Sequence, residues 1–552
     1  MSNRKQSHDF IVQGSILAAA AIIAKAIGVI YRVPLTNIIG DSGNSYYSTA
    51  NEIYSIILMI SSFSLPLAVS RMMSERINRG EIRNAGRVFS CAMRFAVISG
   101  LIMSVLTWAL AGVLTKYVMN FELARYGLQV IAPAILIFAI TGTFRRFFQG
   151  FGNMVPTAIS QVIEQIINAI LSVVCASMLY RYGLRQAALY DNELLAPAWG
   201  AAGGTFGTVG SVLVAMIFMM IVYRINRRSF QRMAAKDRTE YRESSREIYH
   251  ALMLTILPII LSTLVYNISN VVDQGIFNAI LKGQGYTEKQ YSIIWGIYVG
   301  KFRVLMNVVL SLASSIGPAI VPSLTHSVES REAKREAAGK ISAAIRFTMI
   351  FSIPCAVGLG ALGGPIITML FHPESGLPLS EGIMRAGVPM IILYALSTLT
   401  TAILQGMGRL KEPLVHCCIA LGIHLAALYV LMRHFSLNIY GVIIANILFA
   451  LIICILNAMT IYRTIRYRQE WMYTFVIPLA CSAIMGFAAY LVYSLFNLFC
   501  GNTISTVIAI LAGAVIYLFS MIALRGLSAE DIRMIPGGYK IIRFMQDRGL
   551  MR

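Results

Sequence analysis

Long apolar stretches recur from one end of this chain to the other, and no other feature of the sequence restricts its fold so severely. Crossing about 30 Å of hydrocarbon takes about 20 residues of helix. Runs of about that length lie, for example, at 11–38, 128–144 and 439–461, with no room between them for a soluble domain. Backbone polar groups inside a bilayer must be satisfied within their own segment, so the expected class is all-α. Hydropathy places spans, within a few residues at each end, at 10–38, 46–73, 88–115, 126–147, 155–180, 198–223, 249–281, 290–325, 341–371, 383–407, 412–432, 437–462, 471–498 and 503–524. The expected protein is therefore a polytopic membrane protein of about fourteen transmembrane helices.

With 57% hydrophobic and only 13% charged residues, the chain lies outside the range of soluble enzymes. A net charge of +21 would suit a nucleic-acid partner, but the placement of the charges argues against one. Arg76, Arg79, Arg83, Arg87, Arg145, Arg146, the segment 224–246, Arg331 to Lys340, Arg409, Lys411, Arg463 to Arg468 and the tail from Arg525 all fall in alternate loops. With Arg4 and Lys5 they hold 31 of the 46 Lys and Arg, against seven in the opposite loops. We call the first set the basic side. The positive-inside rule assigns it, and both termini, to the cytoplasm of a bacterial cell, which requires an even number of spans. Contact with anionic headgroups is a sufficient role for these loops. The first run follows Arg4 and Lys5 as a signal peptide would, but it outlasts an ordinary signal core and is expected to be retained as span 1. The eight cysteines form no CxxC pair and mostly sit inside apolar runs, as small core residues would.

The polar connection 224–247 divides the first twelve spans into six and six, and the halves echo each other. Gln149-Gly150-Phe151-Gly152 followed by Pro156 returns as Gln405-Gly406-Met407-Gly408 followed by Pro413. Ala85-Gly86-Arg87 leading to Arg94-Phe95 returns as Ala338-Gly339-Lys340 leading to Arg346-Phe347, and Pro66 returns as Pro318. A common offset of 252–257 residues describes one six-helix unit used twice. Because six is even, the copies are a parallel repeat, and the substrate path is expected between them. The resulting division is an N-lobe at 1–223, a basic linker at 224–248, a C-lobe at 249–463, helices 13 and 14 at 464–525 and a tail at 526–552. Spans 13 and 14, uncharged from 471 to 524, either complete the bundle or offer a surface to a lipid tail.

Ionisable side chains at a span centre cost about 2.5–3.5 kcal/mol each on insertion scales, so they face a cavity or a partner. Span 1 carries Lys25 and Arg32, seven residues apart on one helical face. Span 2 carries Glu52 and Arg71, span 7 Asp273, and span 8 Lys301 and Arg303. Spans 1, 2, 7 and 8 are the natural walls of a cavity in a two-lobed bundle. Lys25, Arg32, Arg71, Lys301 and Arg303 against Glu52 and Asp273 give that cavity a net positive sign. Such a site suits an anion, and a diphosphate particularly, because guanidinium and ammonium groups make charge-assisted bonds to phosphate oxygens. Plainer roles stand beside this one: Arg71 and Arg145 near the basic interface can snorkel, and Arg303 with Asp273, or Arg32 with Glu52, can form ion pairs that gate the cavity. Lys25, mid-span with no carboxylate at its depth, is the strongest candidate ligand. Glu164, in a polar stripe with Gln161, Gln165 and Asn168, reads as a packing residue.

Pro66, Pro318 and Pro354, with Gly317 and the run Gly358-Gly360-Gly363-Gly364, can bend spans 2, 8 and 9, either as moving hinges or as static kinks. The sequence contains no Walker-type phosphate loop, HExxH or CxxC motif, and its seven histidines are scattered. The expectation is a non-enzymatic transporter without a bound cofactor; whether it couples to Na+, to H+ or to the membrane potential is open.

The stretch Tyr46-Tyr47-Ser48-Thr49-Ala50-Asn51-Glu52-Ile53-Tyr54, continuing through Ser61-Ser62-Phe63-Ser64-Leu65-Pro66-Leu67-Ala68-Val69-Ser70-Arg71, resembles the span-2 signature of the Gram-positive MurJ and SpoVB-like branch of the polysaccharide transporter family, whose superfamily also holds the MATE drug exporters. The resemblance extends over essentially the whole chain, including Phe147-Phe148-Gln149-Gly150 and its echo at Gln405-Gly406. It implies a MATE-like two-lobed fold that moves undecaprenyl-diphosphate-linked saccharide, foremost lipid II for the peptidoglycan cell wall, from the inner to the outer leaflet by alternating access. It further implies that Lys25 and Arg32 match cavity positions, that the tail follows a groove on spans 13 and 14, and that a monomer surrounded by membrane lipids suffices. Span 2 has Ile56-Ile57 where the Gram-negative branch has arginines, which leaves Arg71 as its candidate. A flippase for another polyprenyl-linked saccharide is the near alternative. A cation-coupled MATE-like exporter is the distant one, and it would need Asp273, Glu52 and Glu164 to dominate the cavity.

Overall fold

A computed structural model describes residues 2–63, 65–239, 241–324, 331–371, 376–409 and 411–526. Most of the basic tail, and the side chains of Arg4, Lys5, Pro66, Gly317, Pro318 and Arg331, lie outside what is described. Among the described residues there is no strand, and every expected span is helical. Contacts group the chain into two compact units, 1–296 and 297–552. Span 7 and the first turns of span 8 therefore pack with the first six spans, although the repeat assigns them to the second half.

In the first unit, α1 (Ser2–Leu58) contains both span 1 and the start of span 2, separated only by Gly40 at φ 67° and ψ −177°. That left-handed backbone is open to glycine at little cost, so one residue replaces the loop expected at 39–45. A wide, π-type turn, Met59–Phe63, follows, then α2 (Leu65–Asn78). Next come α3 (Ile82–Val113), α4 (Arg125–Ile131), α5 (Pro133–Gly150), α6 (Val155–Tyr190), α7 (Leu195–Lys236), α8 (Ser245–Gly283) and α9 (Glu288–Ile297). The hairpin of α6 and α7 is drawn together by small residues, as is usual between helices in lipid. A Cβ added at Gly203 would fall 2.3 Å from the Cys175 carbonyl oxygen, and one at Gly207 would fall 2.1 Å from Ser172 Oγ. Toward the basic side, Val69, Met73, Phe89, Phe147, Phe148 and Leu252 form a buried core.

The second unit begins with another wide turn, Tyr298–Phe302, and continues through α10 (Arg303–Leu324), α11 (Arg331–Ala361), α12 (Gly363–Leu370), α13 (Leu377–Ala386), α14 (Val388–Gly406), α15 (Lys411–Arg433), α16 (Ile439–Ile465) and α17 (Ile477–Ala523). Spans 13 and 14 are one assignment, α17, folded back at Gly501 (φ 71°). The glycine run of span 9 serves close packing: added Cβ atoms would lie 2.6 Å from Val388 at Gly360, 2.9 Å from Met384 at Gly363 and 2.0 Å from Glu381 at Gly364.

Eleven stretches have the length and hydropathy to cross a membrane. Among the described residues two of these, 19–61 and 472–523, are each folded at a glycine kink, and α8 is a further helix of 39 residues on an expected span, in keeping with about fourteen. Large apolar side chains face outward along them, such as Trp108, Leu498 and Phe499, as a protein solvated by lipid requires. The echoed motifs also share geometry. Gly152 and Gly408 both have φ 77°, and each N–H donates three residues back, to the carbonyls of Gln149 and Gln405. Spans 4 and 10 break at matching prolines, Pro133 and Pro389, an echo the sequence comparison had missed.

Candidate functional site

The cations of span 1 sit on one α1 face. Lys25 is exposed on the first unit, and Arg32 is half-buried. The Arg32 guanidinium lies 4.3 Å from the centroid of the Tyr47 ring, and its Nη1 is buried without a hydrogen-bond partner. Among the described residues it forms no ion pair, so the expected pairing with Glu52 gives way to a cation–π contact. Next to it, Tyr31 Oη accepts from Asn168 Nδ2 at 3.1 Å, and Ser172 Oγ donates to Asn168 Oδ1 at 3.0 Å. The polar stripe of span 5 thus does what it was expected to do, holding helices together. Glu164 receives Arg145 Nη2 at 2.6 Å in a buried pair, while Arg145 Nε donates to Ser160 Oγ at 2.8 Å. Arg145 therefore does not snorkel. Arg71 does reach out: it is exposed and, among the described residues, its one ion pair is with Glu75, one turn on.

Of the remaining candidates, Glu52 is half-buried and Asp273 is buried in the first unit, whereas Lys301 is buried and Arg303 half-buried in the second. Lys301 lies inside the wide turn of span 8, where a helix of altered pitch re-aims its side chains.

On the side opposite the basic loops, the first unit has a set of contacts that the sequence reading did not identify. Ser45 Oγ donates to the Ser292 carbonyl, Ser292 Oγ to Ser42 Oγ at 2.9 Å, and Tyr46 Oη to Glu288 at 2.9 Å. Gly296 approaches so closely that a Cβ there would fall 1.7 Å from the Asp41 carbonyl oxygen. Tyr291 Oη donates to the Asn120 carbonyl, and Gln274 donates to Thr49. The start of span 2 is thereby fastened to spans 7 and 8 at their ends. The small polar run Asp41-Ser42-Gly43-Asn44-Ser45 was the available signal.

The second unit contains a predominantly apolar cavity of about 510 Å³ between α10, α11 and both halves of α17, lined by Leu305, Phe351, Pro354, Met485, Ala514 and Tyr517 among others. Tyr517 turns its hydroxyl away to the Ile350 carbonyl at 2.8 Å, which keeps the lining apolar. Among the described residues no group of His, Cys, Asp and Glu has a metal-binding arrangement.

An all-α membrane protein of fourteen spans, with buried cations and an apolar cleft, has the architecture of a MATE-like transporter. The chain belongs to the polysaccharide biosynthesis protein family, which matches residues 11–328. It is 24% identical over 547 residues to the lipid II flippase MurJ of Bacillus subtilis, covering 95% of this chain and 97% of that one. It is 22% identical over 532 residues to stage V sporulation protein B of the same organism, covering 94% and 96%. Among solved structures, a lipid II flippase MurJ in an inward closed conformation matches with a TM-score of 0.65 at 15% identity, covering 92% of this chain and 98% of that one. An inward-facing MATE multidrug transporter matches with a TM-score of 0.60 at 16% identity, covering 82% and 98%.

Proposed function

We propose that this protein is a flippase for a polyprenyl-diphosphate-linked saccharide, with lipid II as its first cargo, carrying it from the inner to the outer leaflet by alternating access. The observation that carries this reading is the coexistence of intramembrane cations on spans 1 and 8 with an apolar cleft along spans 13 and 14. An amphiphile with an anionic head and a long hydrocarbon tail needs both. The candidate cations for the diphosphate are Lys25 and Arg32 on the first unit and, separately, Lys301 and Arg303 on the second, Arg32 being favoured because its buried Nη1 has a donor to give. Arg71, exposed and paired within its helix, fits the mouth of the path on the basic side. Glu52 and Asp273 are the proposed gate residues of the first unit, and the cleft takes the tail. The basic side faces the cytoplasm with both termini, in a bacterial cell membrane, and the protein acts as a monomer on a glycolipid without a cofactor. The cationic sign of spans 1 and 8 disfavours an exporter of organic cations.

Complementation of bacteria depleted of their lipid II flippase tests the assignment, comparing wild type with Lys25→Ala, Arg32→Ala and Arg303→Ala at matched expression. Rescue by the wild type and its loss in at least Arg32→Ala is expected. Failure of the wild type refutes lipid II as cargo, and rescue by all three variants refutes the cationic site. Flipping in vesicles with and without an imposed potential tests coupling, since a charge crossing the field gains about 2.3 kcal/mol per 100 mV. Faster flipping under the potential is expected, and indifference excludes it.

A further inference from the structure

A second cavity in the second unit, about 470 Å³, lies at the basic end of the helices that form the apolar cleft, and none of the cargo-site residues above lines it. Its walls are Arg346 of α11, Glu470, Trp471, Met472 and Tyr473 at the start of span 13, and Arg525 just past the end of α17. Arg346 forms an ion pair with Glu470 and stands 5.9 Å from the centroid of the Tyr473 ring, with only 16% of its side chain exposed. Trp471, Met472 and Tyr473 are instead largely exposed, at 68%, 58% and 48%. Arg525 is exposed as well.

Each part fits one kind of ligand. Two guanidinium groups and one carboxylate leave the pocket with a surplus positive charge, and guanidinium forks are the side-chain groups best matched to phosphate oxygens. The cavity opens at the first turn of the span-13 helix, where unpaired backbone N–H groups and the helix dipole favour an anion. Trp and Tyr are the residues that settle at headgroup depth. Phe347, next in sequence to Arg346, and Leu518, seven residues before Arg525, already line the apolar cleft. Seven residues of helix rise about 10 Å, so a phosphate held at the pocket has its acyl chains at the mouth of the cleft.

We propose that this pocket is a binding site for an anionic glycerophospholipid of the leaflet on the basic side, its phosphate between Arg346 and Arg525, its headgroup against Trp471 and Tyr473 and its acyl chains in the bilayer at the mouth of the cleft. Glu470 competes with the phosphate for Arg346. The lipid is a resident of the bilayer and not the cargo, and the site stands whatever saccharide the protein moves.

The test is native mass spectrometry of the full-length protein, delipidated in detergent and titrated with phosphatidylglycerol, phosphatidylcholine or inorganic phosphate. Phosphatidylglycerol is expected to bind at a concentration about fivefold below phosphatidylcholine, the contribution of one basic residue near an anionic lipid. Arg525→Gln should remove that preference. It touches no buried pair, so it keeps the test interpretable if Arg346→Gln fails to fold. Glu470→Gln should strengthen phosphatidylglycerol binding, a direction that general loss of structure cannot produce. Equal retention of both lipids, an unchanged Arg525→Gln, or phosphatidylglycerol binding fully displaced by millimolar inorganic phosphate overturns the proposal. Because the readout is lipid retention, it is independent of whether the protein rescues flippase-depleted cells.

Discussion

Arg145 and Arg32 show how two arginines of similar appearance in sequence acquire different roles. Arg145 is neutralised by Glu164 and fixed by Ser160 in a buried setting, so its charge is spent on holding spans 4 and 5 together. Arg32 keeps an unoccupied donor and only a ring for company. Removing one member of a buried pair strands the other, at a cost of about 3–5 kcal/mol, whereas replacing both by apolar residues of similar size is often tolerated. Glu164→Ala should therefore lower the thermal unfolding midpoint in detergent substantially, and the double variant Arg145→Met/Glu164→Leu should recover most of the loss. A double variant no better than Glu164→Ala would mean that the pair is not what the site depends on. For Arg32 the opposite profile is expected: Arg32→Ala should leave the unfolding midpoint near that of the wild type while abolishing complementation. The intramembrane charges were legible because each violates hydropathy. Which of them were paired was not, because depth along a span does not fix rotation about it.

The connection between α7 and α8 is the clearest case of an element whose role hydropathy hides. It was expected as a basic, topogenic linker, yet α7 continues to Lys236 and the chain beyond it docks on the start of α3. Asp237 accepts from the Arg83 backbone N–H at 2.7 Å and from Thr239 N at 2.8 Å, Asn84 binds the Tyr241 carbonyl and the Glu243 amide, and Arg76 grips Glu243 with two nitrogens. A Ser244–Glu247 capping box then starts α8. The Arg83 amide, followed by Thr239, holds the Asp237 carboxyl down at about 2 from its ordinary value of 3.8. Because the folded pKa is depressed, this contact contributes fully above about pH 4 and is lost as the pH falls through about 2. Hydrogen exchange at residues 82–85, corrected for intrinsic rate, should stay slow from pH 7 to 4 and rise toward pH 2. Asp237→Asn should show the fast rate already at pH 7, and identical exchange in the variant would remove the contact from the account. At the opposite side, Gly296 admits no side chain against Asp41. Gly296→Val should loosen the fastening of span 2, read as faster maleimide labelling of an Ala50→Cys reporter, a buried position that makes none of these bonds; unchanged labelling would show that the contact yields without opening. Hydropathy located all fourteen spans because it measures transfer into hydrocarbon. The turn between spans 13 and 14 at Gly501-Asn502 was legible, but hydropathy missed the continuity of α1 through Gly40, and the serine contacts, because neither a backbone angle nor a hydroxyl in an apolar helix changes that transfer much.

For the molecule as a whole, the two halves of the proposed cargo make separate demands, and the chain meets them with separate parts. A diphosphate head requires fixed cations, a demand that the proposed function assigns to the spans with the most deeply placed charge. A polyprenyl tail requires an apolar surface that need not release water at each step, and the proposed function assigns it to the cavity that spans 13 and 14 line with α10 and α11. The echoed motifs share geometry down to the φ of 77° at Gly152 and Gly408, and the cavity is lined by spans 13 and 14 together with α10 and α11. Filling the cleft should therefore disable carriage of a lipid without touching a charge. Ala514 lines it on an outward-facing part of α17, so Ala514→Trp adds an indole to the space without displacing a packed core residue. The variant should fold and express as the wild type does, keep the cationic residues intact and fail to rescue flippase-depleted cells, while Ala514→Ser rescues. If Ala514→Trp rescues at wild-type level, the tail takes another route and spans 13 and 14 only complete the bundle. If it fails together with a lowered unfolding midpoint, Ile510→Trp, at a half-exposed position on the same lining, separates lost stability from a blocked cleft.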